Sequence, residues 1–165
     1  MASPFLLKNF SPPFKRFIGA FLFILSVGYF TGLLFIAQTD STTPSGVVEN
    51  YNGNENIENP KILKFKKGKR EMLTIIHTHI LSIGFIFAFL GVLVWGTEIS
   101  TRWKLFLTIE PFVSLLVTFG GIYLLWLGYE YVAYLVVLSG MLMTLSFLLG
   151  TIFVVRALAK VPADN

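Results

Sequence analysis

Two histidines, His77 and His79, stand inside a long apolar segment, and their chemistry needs an explanation. They are the only histidines among the 165 residues of the chain. An ionisable side chain in a segment long enough to cross a membrane is costly to insert and marks a functional site by default. An imidazole can ligate a metal, hydrogen-bond a neighbour or carry a proton. The pair is therefore the first candidate for a functional site.

The spacing of the two histidines limits what they can do together. Positions two apart on an α-helix lie about 200° apart around its axis, so the rings point to nearly opposite surfaces. A chelating pair on one helix needs a spacing of four. His77 shares a helix face with Gly84 and Gly91. We therefore expect the ring of His77 to face the interior of the protein and that of His79 to face a second surface.

Haem b is one cofactor that fits this helix face. It needs an axial histidine, and small residues such as Gly84 and Gly91 let the flat macrocycle approach. His77 or His79 would then ligate the haem iron. No other apolar segment contains a histidine, so bis-histidine ligation would need a symmetric dimer or a partner subunit. A quinone or proton-handling role and a purely structural role are the alternatives.

Glu110 is a second ionisable residue inside an apolar segment, and Pro111 follows it. A buried carboxylate is either protonated or paired, because burial disfavours its charged form. Two interpretations follow. Either the side chain extends to Arg102 or Lys104 at the membrane surface, or Glu110 and the histidines are the two ends of a proton path.

The composition places these residues in a membrane protein. Hydrophobic residues make up 55% of the chain and charged residues only 13%, against about 25% charged residues in a soluble domain. There is no cysteine, which excludes disulfides, thiolate metal sites and covalently attached c-type haem within the chain. The predicted fold class is an all-α integral membrane protein.

Four apolar segments predict a four-transmembrane-helix bundle. Each has about 20 or more residues, which at 1.5 Å per residue matches a hydrocarbon core of about 30 Å. One polar loop, at about residues 38–71, separates the first two spans. The spans are predicted at residues 17–37, 72–95, 105–127 and 131–155, in a single membrane domain over residues 1–165.

Small residues recur at helical spacing in every span, including Gly28 and Gly32 in the first. Helices in lipid associate where small residues allow close approach. The pattern predicts a compact bundle, contacts to other membrane subunits or a homo-oligomer, and it does not separate these uses.

The distribution of basic residues predicts that both termini are cytoplasmic. Every connecting segment on that side carries Lys or Arg, whereas the turn at residues 128–130 has none. The loop of residues 38–71 ends in a basic stretch that includes Ile62, Leu63 and Phe65, as is typical of a lipid-facing approach to a span. This basic stretch is too short and too close to the membrane to bind nucleic acid, so nucleic acid is not expected as a partner.

The loop and the second span resemble a family of small bacterial inner-membrane proteins. In that family a Thr-Pro-x-Gly-Val-x-Glu-x-Tyr-x-Gly loop leads into Arg-Glu-Met-Leu and a His-x-His helix, and this chain has both patterns, at residues 43–53 and 70–79. The resemblance implies a bacterial inner membrane and a loop that forms one unit with the histidines. Three roles are open for that loop: it folds over the end of the bundle and caps the histidines, it docks to a periplasmic partner, or it only links two spans.

No catalytic constellation is found in the sequence, so a non-catalytic role is favoured. The first hypothesis is an accessory subunit of a bacterial membrane complex, respiratory or electron-transferring, with a histidine site for haem b or quinone. The second is a proton-handling channel or transporter component that uses His77, His79 and Glu110. The third is a purely structural or assembly protein.

Overall fold

The computed structural model describes residues 5–60 and 62–160, and most of these residues are α-helical. The predicted domain also includes residues 1–4, 61 and 161–165, which lie outside the described part. The helices are α1 (Pro12–Gln38), α2 (Pro44–Asn52), α3 (Lys69–Trp95), α4 (Thr101–Trp126) and α5 (Ala133–Ala159). All but α2 are long and apolar enough to cross a membrane. The predicted all-α, four-span fold class is confirmed.

Local signals set the helix boundaries. Pro12 begins α1, where the N–H that proline lacks would have no partner in the helix. The side chain of Thr43 accepts a hydrogen bond from the N–H of Gly46 at 3.1 Å and caps α2, in which Pro44 is the first residue. Gly53 follows α2 with φ at 85°, a conformation that favours glycine.

The helices α3, α4 and α5 form the core of the molecule. Glycines let them approach closely: a Cβ on Gly121 would lie 2.8 Å from Cγ2 of Val136, and one on Gly150 would lie 3.2 Å from Cδ2 of Leu90. This is the close approach that the small residues predict for these three spans. Large side chains fill the space between the helices, among them Phe87, Leu90, Val94, Leu125, Phe147 and Val154.

The first span, α1, lies at the edge of this core. Of its 27 residues, the buried ones are Ile18, Leu22 and Tyr29. A Cβ added at Gly28 or Gly32 would meet no atom within 4 Å. The four spans therefore form a three-helix core with a loosely attached fourth helix, rather than an evenly packed bundle.

One end of the bundle joins the segment Phe5–Phe10 to the turn between α3 and α4. Leu7 is fully buried, and its N–H donates to the carbonyl of Gly96 at 2.9 Å. The carboxylate of Glu98 forms ion pairs with Lys8 at 2.5 Å and with Lys160 at 2.7 Å. Two spans separate the segment Phe5–Phe10 from this turn, and two more separate the turn from Lys160. All three therefore lie on the same side of the membrane, which agrees with their contacts.

The polar loop folds over the opposite end of the bundle. Its amide groups bind the end of α4: Nδ2 of Asn52 donates to the carbonyl of Leu125 at 2.9 Å. The indole of Trp126 donates to the carbonyl of Lys67 at 2.8 Å. The loop thus folds over the bundle end, as the first of its three possible roles requires.

Candidate functional site

His79 is exposed on the surface of α3 and is held by two contacts. Its Nδ1 lies 2.7 Å from the carbonyl oxygen of Ile75. Its ring stacks on Phe119 of α4, with the ring centroids 5.1 Å apart. Because a carbonyl can only accept, Nδ1 is the donor and Nε2 is left free on the exposed side. Metal-ligating histidines commonly make such an Nδ1–H bond to a carbonyl.

His77 is also exposed, so the prediction that its ring faces the interior is wrong. The inward face of α3 carries the large apolar residues Met72, Phe87, Leu90 and Val94. Their burial fixes the rotation of the helix, and His77 falls outside the buried face. Its ring instead lines a shallow cavity together with Lys69, Arg70, Leu73 and Thr74. The two histidines thus serve different surfaces, as their spacing predicts.

Gly84 and Gly91 face α4 rather than an open space. A Cβ on Gly84 would lie 3.7 Å from Cδ2 of Leu115, and one on Gly91 would lie 3.2 Å from Cγ2 of Thr108. A haem at these glycines would have to displace both side chains. Within residues 5–60 and 62–160, no group of three or more His, Asp or Glu side chains converges on a metal site. Haem ligation by His77 or His79 stays a prediction, and its fit requires a surface supplied by another chain.

Glu110 lies half-buried near the middle of α4, at the contact with α5. One carboxylate oxygen accepts a hydrogen bond from the hydroxyl of Ser114 and the other from the hydroxyl of Ser146. The expected extension to Arg102 or Lys104 is not observed. The ammonium group of Lys104 instead donates to the carbonyl of Trp95 at 3.0 Å.

The contact between α4 and α5 contains further polar side chains. The hydroxyls of Thr118 and Ser139 are buried and lie 2.7 Å apart. Glu110, Ser114 and Thr118 recur every four residues, which puts them on one side of α4. Ser114, Thr118, Ser139 and Ser146 belong to the small residues whose helical spacing predicts close contact between the spans, and Ser114 is also predicted to bond a carbonyl freed by Pro111. The four-residue spacing between Glu110 and Ser114 is a signal that identifies Ser114 as a partner of the carboxylate, whereas Ser146 lies 36 residues away on α5.

Comparison with protein families gives a match over most of the chain. The model of a transmembrane helical domain, Aq_1264_TM, matches residues 41–165. The chain belongs to this family. The matched region contains α2, α3, α4 and α5, and α1 precedes it. No curated protein and no solved structure matches the chain.

In this Aq_1264_TM domain, the loop residues that carry the resemblance have structural roles. A Cβ on Gly46 would overlap the carbonyl oxygen of Asp40, so only glycine fits there. The carboxylate of Glu49 accepts from Nδ2 of Asn54 at 3.2 Å. Burial raises the pKa of the Tyr51 hydroxyl to about 12.

The loop of the Aq_1264_TM domain does not cover the histidines. It contacts the ends of α4 and α5, whereas His77 and His79 are exposed on α3. The interpretation that the loop caps the histidines is therefore wrong. The reason is that Asn52 and Trp126 connect the loop to the end of α4, away from the exposed surface of α3.

Proposed function

We propose that this protein is a non-catalytic subunit of a bacterial membrane complex, and that α1 binds a transmembrane helix of a partner. The observation that carries the proposal is the poor packing of α1. Only 11% of its apolar stretch is buried, against 44% in α4. Lipid tails solvate apolar side chains well, so the exposure of these side chains does not by itself require a partner. The exposed glycines of α1 supply the further support.

Gly28 and Gly32 form a Gly-x-x-x-Gly pair with open space beside both residues. A glycine inside a helix costs about 1 kcal/mol relative to alanine. At Gly84, Gly91, Gly121 and Gly150 a neighbouring helix uses the space that glycine leaves, whereas nothing within the described residues does so at Gly28 and Gly32. Such pairs are typical of close contact between transmembrane helices. A helix of another subunit, or α1 of a second copy, fits this surface.

We further propose that this complex transfers electrons and that His79 contributes to a site for haem b or quinone. The Nε2 of His79 is free on the protein surface, so a haem b or quinone would be held between this chain and its partner. The basic residues on the end that carries Lys8 and Lys160 support a cytoplasmic location of both termini in a bacterial inner membrane.

The test is the size and the absorption spectrum of the assembly extracted from native membranes in mild detergent. Gly28→Leu with Gly32→Leu should fill the surface and release this chain from its partner. Gly120→Leu is the matched control, because Gly120 also has open space around it but lies on α4. A wild-type chain that migrates alone, or equal dissociation in both variants, would refute the proposal. A Soret band that is lost in His79→Ala would support a haem site. An intact wild-type assembly without a Soret band would exclude haem from the proposal.

Proton handling at Glu110 is a second candidate function. The carboxylate lies far from both ends of α4, and its hydrogen-bond donors are two serine hydroxyls. Among the residues the structure describes, no Lys, Arg or His forms an ion pair with Glu110, which distinguishes it from Glu71 and Glu98. An intramembrane carboxyl group with hydroxyl partners can exchange a proton without a counter-ion.

For this candidate, we expect Glu110→Gln to abolish pH-driven proton flux in liposomes that contain the purified protein. The amide keeps the size and much of the hydrogen bonding of the carboxyl group but cannot titrate. Glu130→Gln is the control, since Glu130 is exposed at the bundle end. Flux that persists in Glu110→Gln, or no flux in the wild type, would rule out this function.

A further inference from the structure

The cavity beside His77 has a volume of about 600 Å³ and lies on the outer surface of α3. Its lining combines two cations with an apolar and a hydroxyl side chain: Lys69, Arg70, Leu73, Thr74 and His77. The cavity belongs neither to the Glu110 cluster nor to the contact surface on α1. Its wall contains no acidic side chain.

The two cations of this cavity are not neutralised within the described part of the chain. The ion pairs there involve Glu98 and Glu71, and the partner of Glu71 is Lys67, at 2.7 Å. Lys69 and Arg70 are both exposed and take part in none of them. The cavity therefore presents a positive charge to whatever occupies it.

The position of the cavity along α3 matches the boundary between headgroups and hydrocarbon. Lys69 is the first residue of α3, and His77 is eight residues further on, or about 12 Å along the axis. Beside this end of the bundle, Trp126 marks the interface: Nζ of Lys66 lies 5.4 Å from the centre of its ring. A ligand here would meet the charges of Lys69 and Arg70 at one end, the apolar side chain of Leu73 midway along the cavity and the ring of His77 at the other end.

We propose that this cavity binds the phosphodiester headgroup of an anionic phospholipid. The guanidinium group of Arg70 can donate two hydrogen bonds to a phosphate, and Lys69 adds a second positive charge. Leu73 and the stem of Lys69 offer apolar surface to the start of an acyl chain. A zwitterionic lipid fits less well, because its own ammonium group would enter a cavity that is already positive.

The experiment is native mass spectrometry of the intact chain released from nanodiscs that contain phosphatidylglycerol and phosphatidylcholine. We expect the wild type to retain phosphatidylglycerol selectively. The Lys69→Gln, Arg70→Gln double variant should weaken that binding roughly 30-fold, given the contribution of each cation near an anionic surface. The matched control is Arg102→Gln with Arg156→Gln, which removes the same charge from exposed positions outside the cavity. Thermal unfolding of each variant verifies that it is folded.

Three results would overturn the proposal. Equal loss of lipid in both double variants would indicate general charge attraction. Equal retention of phosphatidylcholine by the wild type would show that the anionic headgroup is not recognised. Displacement of the lipid by inorganic phosphate would assign the site to free phosphate. Selective loss in Lys69→Gln, Arg70→Gln, insensitive to phosphate, would support a lipid site.

Discussion

Glu98 connects three parts of the chain that are far apart in sequence. Its partners Lys8 and Lys160 are 90 and 62 residues away. The hydrogen bonds from Lys160 and Lys8 lower the pKa of the Glu98 carboxyl to about 2. The carboxylate is exposed to solvent, so salt screens these interactions. A single side chain thus links the segment Phe5–Phe10, the turn after α3 and the end of α5.

The lowered pKa of Glu98 predicts how stability depends on pH. The stabilisation is complete above the unfolded-state pKa, near 4.5, and is lost as the pH falls through the folded-state value of about 2. The unfolding temperature in detergent should therefore fall more steeply over this window in the wild type than in Glu98→Gln. The difference should shrink at high salt. Parallel curves for the two proteins would contradict the assignment.

Single residues show where the sequence was informative and where it was not. The spacing of His77 and His79 correctly placed them on different surfaces. It did not fix the rotation of α3, which depends on how the apolar residues pack against other helices. One of the two hydrogen-bond partners of Glu110 could be predicted from the sequence, because Ser114 lies four residues further along the same helix. Ser146 lies 36 residues away, on another helix, and only the packing of α4 on α5 brings it to the carboxylate.

At the scale of elements, α4 carries two adjacent glycines, of which Gly121 faces the contact with α5 and Gly120 does not. A Cβ on Gly121 would press on Val136 and Val132 of the neighbouring segment. One on Gly120 would meet no atom within 4 Å. Gly120 is therefore a control, on the same helix, for a test of the close approach at Gly121.

We expect Gly121→Ala to lower the free energy of unfolding by about 1–3 kcal/mol, because the core must move to accept the methyl group. Gly120→Ala should be neutral or should stabilise by up to about 1 kcal/mol, since alanine favours the helix. Reversible unfolding in mixed micelles measures both. Equal effects at the two positions would show that α4 and α5 do not approach as described.

The helices themselves were largely predictable, because long apolar segments have few stable alternatives to helix in lipid. The observed α1, α3 and α4 begin three to five residues before the predicted spans, and α5 continues four residues beyond its span. Polar residues at their ends continue the helix after the apolar pattern stops. The short helix α2 was assigned to a polar loop. Thr43 and Pro44 are local signals for the start of a helix. The polar composition of the surrounding residues favoured a loop instead.

At the scale of the whole molecule, the unequal packing of the spans was not predictable. Every span has small residues at helical spacing, so the sequence alone gave no reason to separate α1 from the others. The difference lies in which glycines meet a neighbour, and this depends on the assembled structure. The family match follows the same division, since it covers the three core spans and starts after α1.

The buried position of Leu7 has a consequence for how the protein is made. Leu7 binds the carbonyl of Gly96, and Lys8 binds Glu98, which the ribosome adds 90 residues later. At roughly 5–20 residues per second, the early segment waits several seconds for its binding site. Until then the described part of the chain offers Leu7 no carbonyl of Gly96 to bind. The contacts of Glu98 with Lys8 and Lys160 are therefore completed only late in synthesis, after the last span and Lys160 have emerged.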